Sequence, residues 1–477
     1  MMASFAFDSI STGQRVPGSQ VEISNVRALQ GLPPAVQKIL LIGQCIGAAS
    51  TSAPVRVTRR DQGAAIAGRG SILAAMVAAA IDASKEVELW AMPIADNAAG
   101  VAASATMTIT GPATASGTLS AMIAGVRVTT NVNSGQVATS IASNLAAAIN
   151  ALPDLPVTAT AAAAVVTLTC RHKGAVGNEI DVRTNYFEGE KLPAGVAVTI
   201  VGMAGGTGNP DLTSLMASLG DAQYQTFAIG MNDAANMSII DDDLTGRWGP
   251  QRQIEGRAYF GMIAGWSTLA SFGATRNGVH STIVGGHRVP SPPWAIAAAF
   301  AAVAAFNLQI DPARPLTDLV VPGIRAPSAE HRFSRQEREL LLRDGISTFR
   351  VNAAGDVAIE RLISCYQVNS AGFDDISYLD VQTTATLGYY RYSYRQRMAQ
   401  KFPRAKLTAD TIAAVKAETI ALAREWEDAG LMEDVEGFLA GLIIERDGSS
   451  PTQLNTLMTP DTVNGLLQLA TRIEFIL

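Results

Sequence analysis

Apolar residues run without interruption from Ile39 to Ile42 and are closed by Gly43. An unbroken apolar run of this kind predicts a strand buried on both faces. A helix of small residues is predicted over 72–84 and a second strand over 87–90. Strand, helix, strand with continuous apolar strands argues for a parallel sheet covered by helices on both sides. The same texture resumes beyond residue 206. Strands predicted at 226–231, 259–263 and 282–284 alternate there with helices at 238–248, 266–275 and 293–308. The predicted fold class is therefore α/β with a doubly wound core.

Two stretches depart from this rhythm. Residues 96–206 are rich in Thr, Ala, Gly and Val, with short alternating runs at 106–110, 126–132 and 165–170 and one helix over 137–150. They read as an inserted α+β domain. The Gly-rich stretch Gly202–Gly208 reads as its return linker. The second departure comes near residue 345. Ser334 and Glu337 form a capping box that opens a helix stopping at Gly345. A hairpin follows, 346–351 and 357–368 around Gly355, then two long helices over 380–402 and 408–429. Strands at 438–446, 454–459 and 467–477 complete a C-terminal α+β region.

The last of these strands has no sequence neighbour to pair with. Leu467, Leu469, Ile473, Phe475 and Leu477 fall on one face, and Gln468, Arg472 and Glu474 on the other. Near the other end, Val21, Ile23 and Val26 follow a Pro17-Gly18 break in a polar arm. A strand that buries its apolar face must also satisfy its backbone N–H and C=O groups. Two such orphan strands on one chain point to sheet completion in neighbouring copies, with assembly as the function.

Composition sharpens this picture. Apolar residues make up 48% of the chain and charged residues only 16%, with a net charge of −6. So few charges leave apolar surface that a partner must cover. Cys45, Cys170 and Cys365 lack metal or disulfide spacing and are expected to be reduced, as in a cytosolic protein. No basic and apolar leader opens the chain, so no signal peptide is expected. The longest apolar run, Trp294 to Phe306, is shorter than the roughly 20 residues a bilayer requires and reads as an interior helix.

Candidate chemistry is sparse. Gly202–Gly208 lacks the Lys and Ser/Thr of a phosphate-binding loop. Asp241, Asp242 and Asp243 are adjacent, so they point different ways on a helix and read as charge at its N-terminus or surface rather than a metal site. His172, His280, His287 and His331 accompany many Ser and Asp residues, with no nucleophile elbow. His280 and Ser281 at one end of a predicted strand, and His287 at the other, are the only places where a catalytic base is suggested. No cofactor is expected and catalysis is not.

A basic stretch carries more. Arg391, Arg395, Arg397, Lys401, Arg404 and Lys406 lie between Leu387 and Leu407 with no acidic residue among them, and four tyrosines interleave. Arg391, Arg395 and Lys401 are expected to share part of one helical face. The segment that follows is acidic (Glu425, Glu427, Asp428, Glu433, Asp434, Glu436). Nucleic-acid binding, docking between copies or onto an acidic partner, and a plain solvated face all fit this layout.

An ordered set of short blocks then resembles one family. The blocks are Arg15–Gly18, Leu40–Gln44, Gly174–Ile180, Arg247-Trp248-Gly249-Pro250, Asp311–Leu316, Arg332–Arg338 with Leu340–Leu342 and Gly345-Ile346, Ile359–Ile363 with Tyr366-Gln367, Asp375–Asp380 and Phe402-Pro403-Arg404. Together they resemble the tail sheath proteins of contractile bacteriophage tails, in particular the Mu-like branch, along essentially the whole chain. The resemblance implies a subtilisin-like core without working catalytic residues. It also implies stacked hexameric rings around an inner tail tube, and terminal arms that exchange strands between subunits. On that pattern, 1–35 is the N-terminal arm, 36–95 and 207–345 the core, 96–206 an outer inserted domain, 346–462 a tube-facing domain and 463–477 the C-terminal arm. The implied partners are further copies, the tube protein, and baseplate and terminator proteins. Direct contact with nucleic acid and membrane insertion are not implied. The implied location is the virion, after assembly in the host cytoplasm. A pyocin-like contractile particle is the alternative setting. A tube, baseplate or capsid-associated protein, a subtilisin-like hydrolase and a nucleic-acid-binding module are the rival classes.

Overall fold

The computed structural model describes residues 32–47 and 53–476. These residues form two compact units, 35–389 with 464–476, and 390–463 with 32–34. The larger is built on an eight-stranded sheet. Six of its strands are parallel, in the spatial order Ile346–Val351, Ser281–Gly286, Arg257–Ile263, Thr226–Ile229, Lys38–Gln44 and Glu88–Ile94. Antiparallel strands Val357–Arg361 and Val55–Val57 close the two edges.

The strand Lys38–Gln44 shows why an unbroken apolar run was needed. Ile39 and Leu41 point into one apolar core, and Leu40 and Ile42 into another on the opposite face. All four side chains are fully buried. On the first face lies the helix Pro293–Ile310, packed against the helix Ile72–Ala83 and the strand Arg257–Ile263. Its alanines permit a close approach, and at Gly261 a Cβ would run into the carbonyl of Pro293. It is the one helix among the described residues long and apolar enough to cross a bilayer, and it is buried within the fold. The second face is covered by Ala234–Trp248 and the shorter helices Thr213–Ser218, Trp266–Gly273 and Arg335–Arg343.

Residues 102–204 form two antiparallel sheets and one helix. Four strands are ordered Ala197–Ala204, Ala102–Thr110, Val165–Lys173 and Val157–Ala162, and three are ordered Val126–Val132, Gly117–Ile123 and Val182–Thr184. The helix Ala138–Asn150 buries Ile141, Leu145 and Ile149 against them. Period-two burial along Ala102–Thr110 produces the alternation seen in the sequence. These two sheets and their helix make up the sandwich, and they keep the α+β content expected of the inserted domain. The Gly-rich stretch is not wholly a linker, because Gly202 lies inside the strand Ala197–Ala204.

Two other readings change. The hairpin expected to open the C-terminal region instead extends the main sheet, with Ile346 beside Ile283. The strand expected over 438–446 is split, because Asp434 caps a short helix, Val435–Gly441, by accepting from the Gly437 amide at 3.0 Å. Only Ile443–Arg446 is strand, paired with Leu454–Leu457.

The smaller unit rests on the helix Ala409–Asp428 and the second half of Val381–Lys401. The Tyr390 and Trp426 rings lie 4.6 Å apart. The Tyr390 hydroxyl donates to the Leu431 carbonyl at 2.5 Å, and Trp426 Nε1 donates to Ser393 Oγ at 3.0 Å. Burial pushes the Tyr390 phenol well above its usual range, so it stays a neutral donor.

Candidate assembly interface

The C-terminal tail departs from a half-buried strand. Residues 463–476 carry no regular structure. Leu469, Ile473 and Phe475 are 81, 86 and 80% exposed, and Leu466 and Ile476 on the other face are exposed as well. Among the described residues no strand pairs with the tail, and its apolar side chains are left exposed. Val21, Ile23, Val26 and Leu477 lie outside the described residues.

A second open element is the two-stranded sheet of Ile443–Arg446 and Leu454–Leu457, to which no further strand is joined among the described residues. Its turn is firmly set. Asp447 accepts from the Ser449 and Ser450 amides, both at 2.8 Å, from Ser449 Oγ at 2.7 Å and from Asn455 Nδ2 at 2.8 Å. These donors hold its carboxyl far below the usual range. The cross-strand pair Ile443 and Leu457 is nevertheless largely exposed. An isolated two-stranded ribbon is marginal in water.

The basic stretch divides. Arg397 is buried and donates to Glu425 at 2.5 Å and to Glu418 at 3.5 Å, and Lys401 lies 3.4 Å from Glu418. These two cations therefore answer acidic residues of the next helix inside the chain. Lys401 does not share a face with Arg391 and Arg395, because residues 391 and 401 are separated by about 80° around the helix and 395 and 401 by about 120°. Arg395, Arg404 and Lys406 are exposed, and Arg391 is partly so.

The residues weighed for chemistry are placed apart. His280 and His287 stand at opposite ends of the strand Ser281–Gly286, roughly 20 Å from one another. Ser281 Oγ donates to Asp241, whose carboxyl burial pushes up to about 6. Asp243 accepts from Arg247 Nε at 2.6 Å. All three aspartates lie inside Ala234–Trp248 rather than at its N-terminus; Asp242 is exposed surface charge, while Asp241 and Asp243 are half-buried against Ser281 and Arg247. Among the described residues no three His, Cys, Asp or Glu side chains gather to hold a metal. Burial raises the thiols of all three free cysteines, that of Cys170 to about 11.

The carboxyl ends of parallel strands are where α/β folds usually admit ligands. Here residues 172–179 of the sandwich occupy that position. Gln44 Nε2 donates to the Lys173 carbonyl and to Asp96, each at 2.7 Å. The Ile72 amide donates to His172 Nε2 at 3.2 Å, and His172 Nδ1 lies 2.8 Å from Asp96. Glu179 accepts from Asn232 Nδ2 at 2.5 Å and from the Ile263 amide at 2.6 Å. Desolvation pushes its carboxyl up to about 7. The switch point of the sheet is thus spent on holding the sandwich. The sequence block 174–180 carried this signal, but its role needed the fold.

Comparison with known proteins follows the same layout. Three family descriptions match in chain order: phage tail sheath protein beta-sandwich domain over 98–197, central domain over 205–365 and C-terminal domain over 374–476. The Mu-like prophage FluMu tail sheath protein of Haemophilus influenzae is 38% identical, over 99% of this chain and all of its own length. Among solved structures, the contracted helical sheath of the anti-feeding prophage superposes with a TM-score of 0.51 at 9% identity, covering 97% of this chain and 99% of its own. The sheath tail protein of Listeria innocua does so with 0.50 at 12% identity, covering 91 and 97%. A relative matched from end to end, together with three sheath regions found in order, makes this chain a member of the phage tail sheath family, the structural proteins of contractile tails.

Proposed function

We propose that this chain polymerises as stacked hexameric rings around an inner tail tube and contracts to drive the tube through a host envelope. The core is read as subtilisin-like in layout, with its ligand-binding end given over to the sandwich. The exposed apolar tail carries the reading. Residues 463–477 add as a strand to the open sheet of a neighbouring copy, where main-chain hydrogen bonds supply affinity and alternate side chains supply register. The ribbon Ile443–Arg446/Leu454–Leu457 offers suitable free edges. The N-terminal arm, through Val21, Ile23 and Val26, is assigned the same role. Arms of this kind keep subunits joined while their bodies repack between extended and contracted states.

Arg391, Arg395, Arg404 and Lys406 are the proposed contacts to the tube or to other subunits, while Arg397 and Lys401 join the next helix through Glu418 and Glu425. Baseplate and terminator proteins are further partners in this scheme. The particle is a phage virion assembled in the host cytoplasm or a pyocin-like relative. The test is negative-stain microscopy of the purified chain beside one lacking 463–477, with and without tube protein. Striated cylinders from the full chain and none from the truncated one are expected. Equal assembly by both would overturn the arm role.

A further inference from the structure

A cationic patch lies where the sandwich meets the main sheet. The exposed Phe187 ring has the Arg127 guanidinium 5.6 Å from its centroid and that of Arg325 at 5.8 Å. Next to it the Arg183 guanidinium stands 6.0 Å from the Tyr186 ring, and Arg183 Nη2 donates to the Arg288 carbonyl at 2.6 Å. Arg288 reaches His331, with Nη1 and Nε2 3.3 Å apart. Arg332 is close enough to act, with Arg325 and Arg183, on the Tyr186 hydroxyl.

Not all of this charge is compensated. Arg127 pairs with Glu190 at 2.7 Å and Arg183 with Asp181 at 2.5 Å. Arg288, Arg325 and Arg332 have no carboxylate ion pair among the described residues, and all three are exposed. The patch is also held in shape. The Tyr186 hydroxyl donates to the Ala326 carbonyl at 2.9 Å, tying the sandwich to the loop that carries Arg325. Arg288 itself sits at a positive φ of 45°, a conformation that arginine rarely adopts. Arg325 beside the exposed Phe187 ring, with Arg288 at His331 and Arg332 at the Pro327 carbonyl, suits an acidic polypeptide, since the ring covers apolar surface and each guanidinium presents a fork to a carboxylate.

The chain carries such a polypeptide. From Arg424 to Arg446 no basic residue intervenes, and Glu427, Asp428, Glu433, Asp434 and Glu436 are exposed there. At a net charge of −6, copies repel one another overall, and local charges of opposite sign offset that repulsion and fix the register of docking. We propose that the patch of Arg288, Arg325 and Arg332 beside Phe187 docks the acidic segment Glu427–Glu436 of a second copy of this chain. The inference rests on self-assembly but not on strand exchange, and it names a contact between folded bodies.

A charge swap tests it in the full chain. Arg288→Glu with Arg325→Glu, and separately Glu433→Lys with Glu436→Lys, should each raise the concentration needed to form cylinders about tenfold at low salt. Mixing the two double variants should restore assembly to within about threefold of wild type, since each supplies what the other needs. The milder pair Arg325→Gln with Arg332→Gln, expected to retain the wild-type melting temperature, guards against misfolding and should give the same direction of change. The docking is overturned if the doubles assemble like wild type, or if the mixture is no better than either alone. A wild-type chain that never assembles, even on tube protein, would instead overturn the sheath reading, and this contact with it.

Discussion

The main sheet and the C-terminal elements solve the same physical problem in opposite ways. In the sheet every interior strand has two neighbours, both edges end in short antiparallel strands, and both faces lie under helices. From Ile443 onward the chain has similar β-forming residues, yet it offers a bare ribbon and an unpaired tail. Apolar content does not separate the two regions. What differs is whether the chain itself supplies the hydrogen-bonding partner. A body that closes its own bonds can move as a unit, whereas a region that leaves them open has bonding capacity for other copies.

The comparison breaks most visibly in the body. Phe300→Ala, deep in the helix Pro293–Ile310, should cost about 4 kcal/mol by emptying a fully buried site. Chemical denaturation of the unassembled chain would read this as a lower midpoint at unchanged slope.

A smaller effect belongs to the seam between sandwich and sheet. The folded chain holds the Glu179 proton up to about pH 7, whereas an unfolded glutamate releases its proton near about 4.3. The folded state therefore binds more protons between those values. Stability should fall as pH rises through that window and level off above it, by up to about 3–4 kcal/mol in all. Melting temperatures from pH 4 to pH 8 should show this slope in the wild type and a flatter one in Glu179→Gln. Identical slopes would remove Glu179 as the cause.

The smallest effect on folding, and the most telling, is expected in the tail. Ile473→Asp with Phe475→Asp should change monomer stability by less than about 0.5 kcal/mol, since both side chains are already exposed. The same variant should fail to form cylinders. A large loss of monomer stability would mean that the tail packs on its own chain.

Some of this was legible in the residues. The run Ile39–Ile42 specified a strand buried on both faces, and the box Ser334/Glu337 forms as read, with Ser334 Oγ accepting from the Glu337 amide. Helix 380–402 was placed almost to the residue. The family was legible as well, because its blocks mark positions where packing tolerates little; Arg247, for instance, is buried and donates to the Ala222 carbonyl at 2.9 Å. Less legible was the fate of charge. The basic stretch and the acidic stretch look segregated along the chain, yet Arg397 and Glu425 meet across a helix pair. Nor did spacing reveal that His172 and Glu179 would close the carboxyl end of the sheet.

The sequence by itself determined the local periods, the caps and the apolar alternation of its tail. These are properties of neighbouring residues, fixed by backbone sterics and side-chain alternation. Only the tertiary structure decided which charges are spent internally, that the sandwich seals the sheet's ligand-binding end, and that Arg325 meets Phe187 while Arg288 meets His331 and Arg183. Those outcomes depend on residues far apart in the chain, such as Arg183 and Arg288, brought together by the fold rather than by any pattern along the chain.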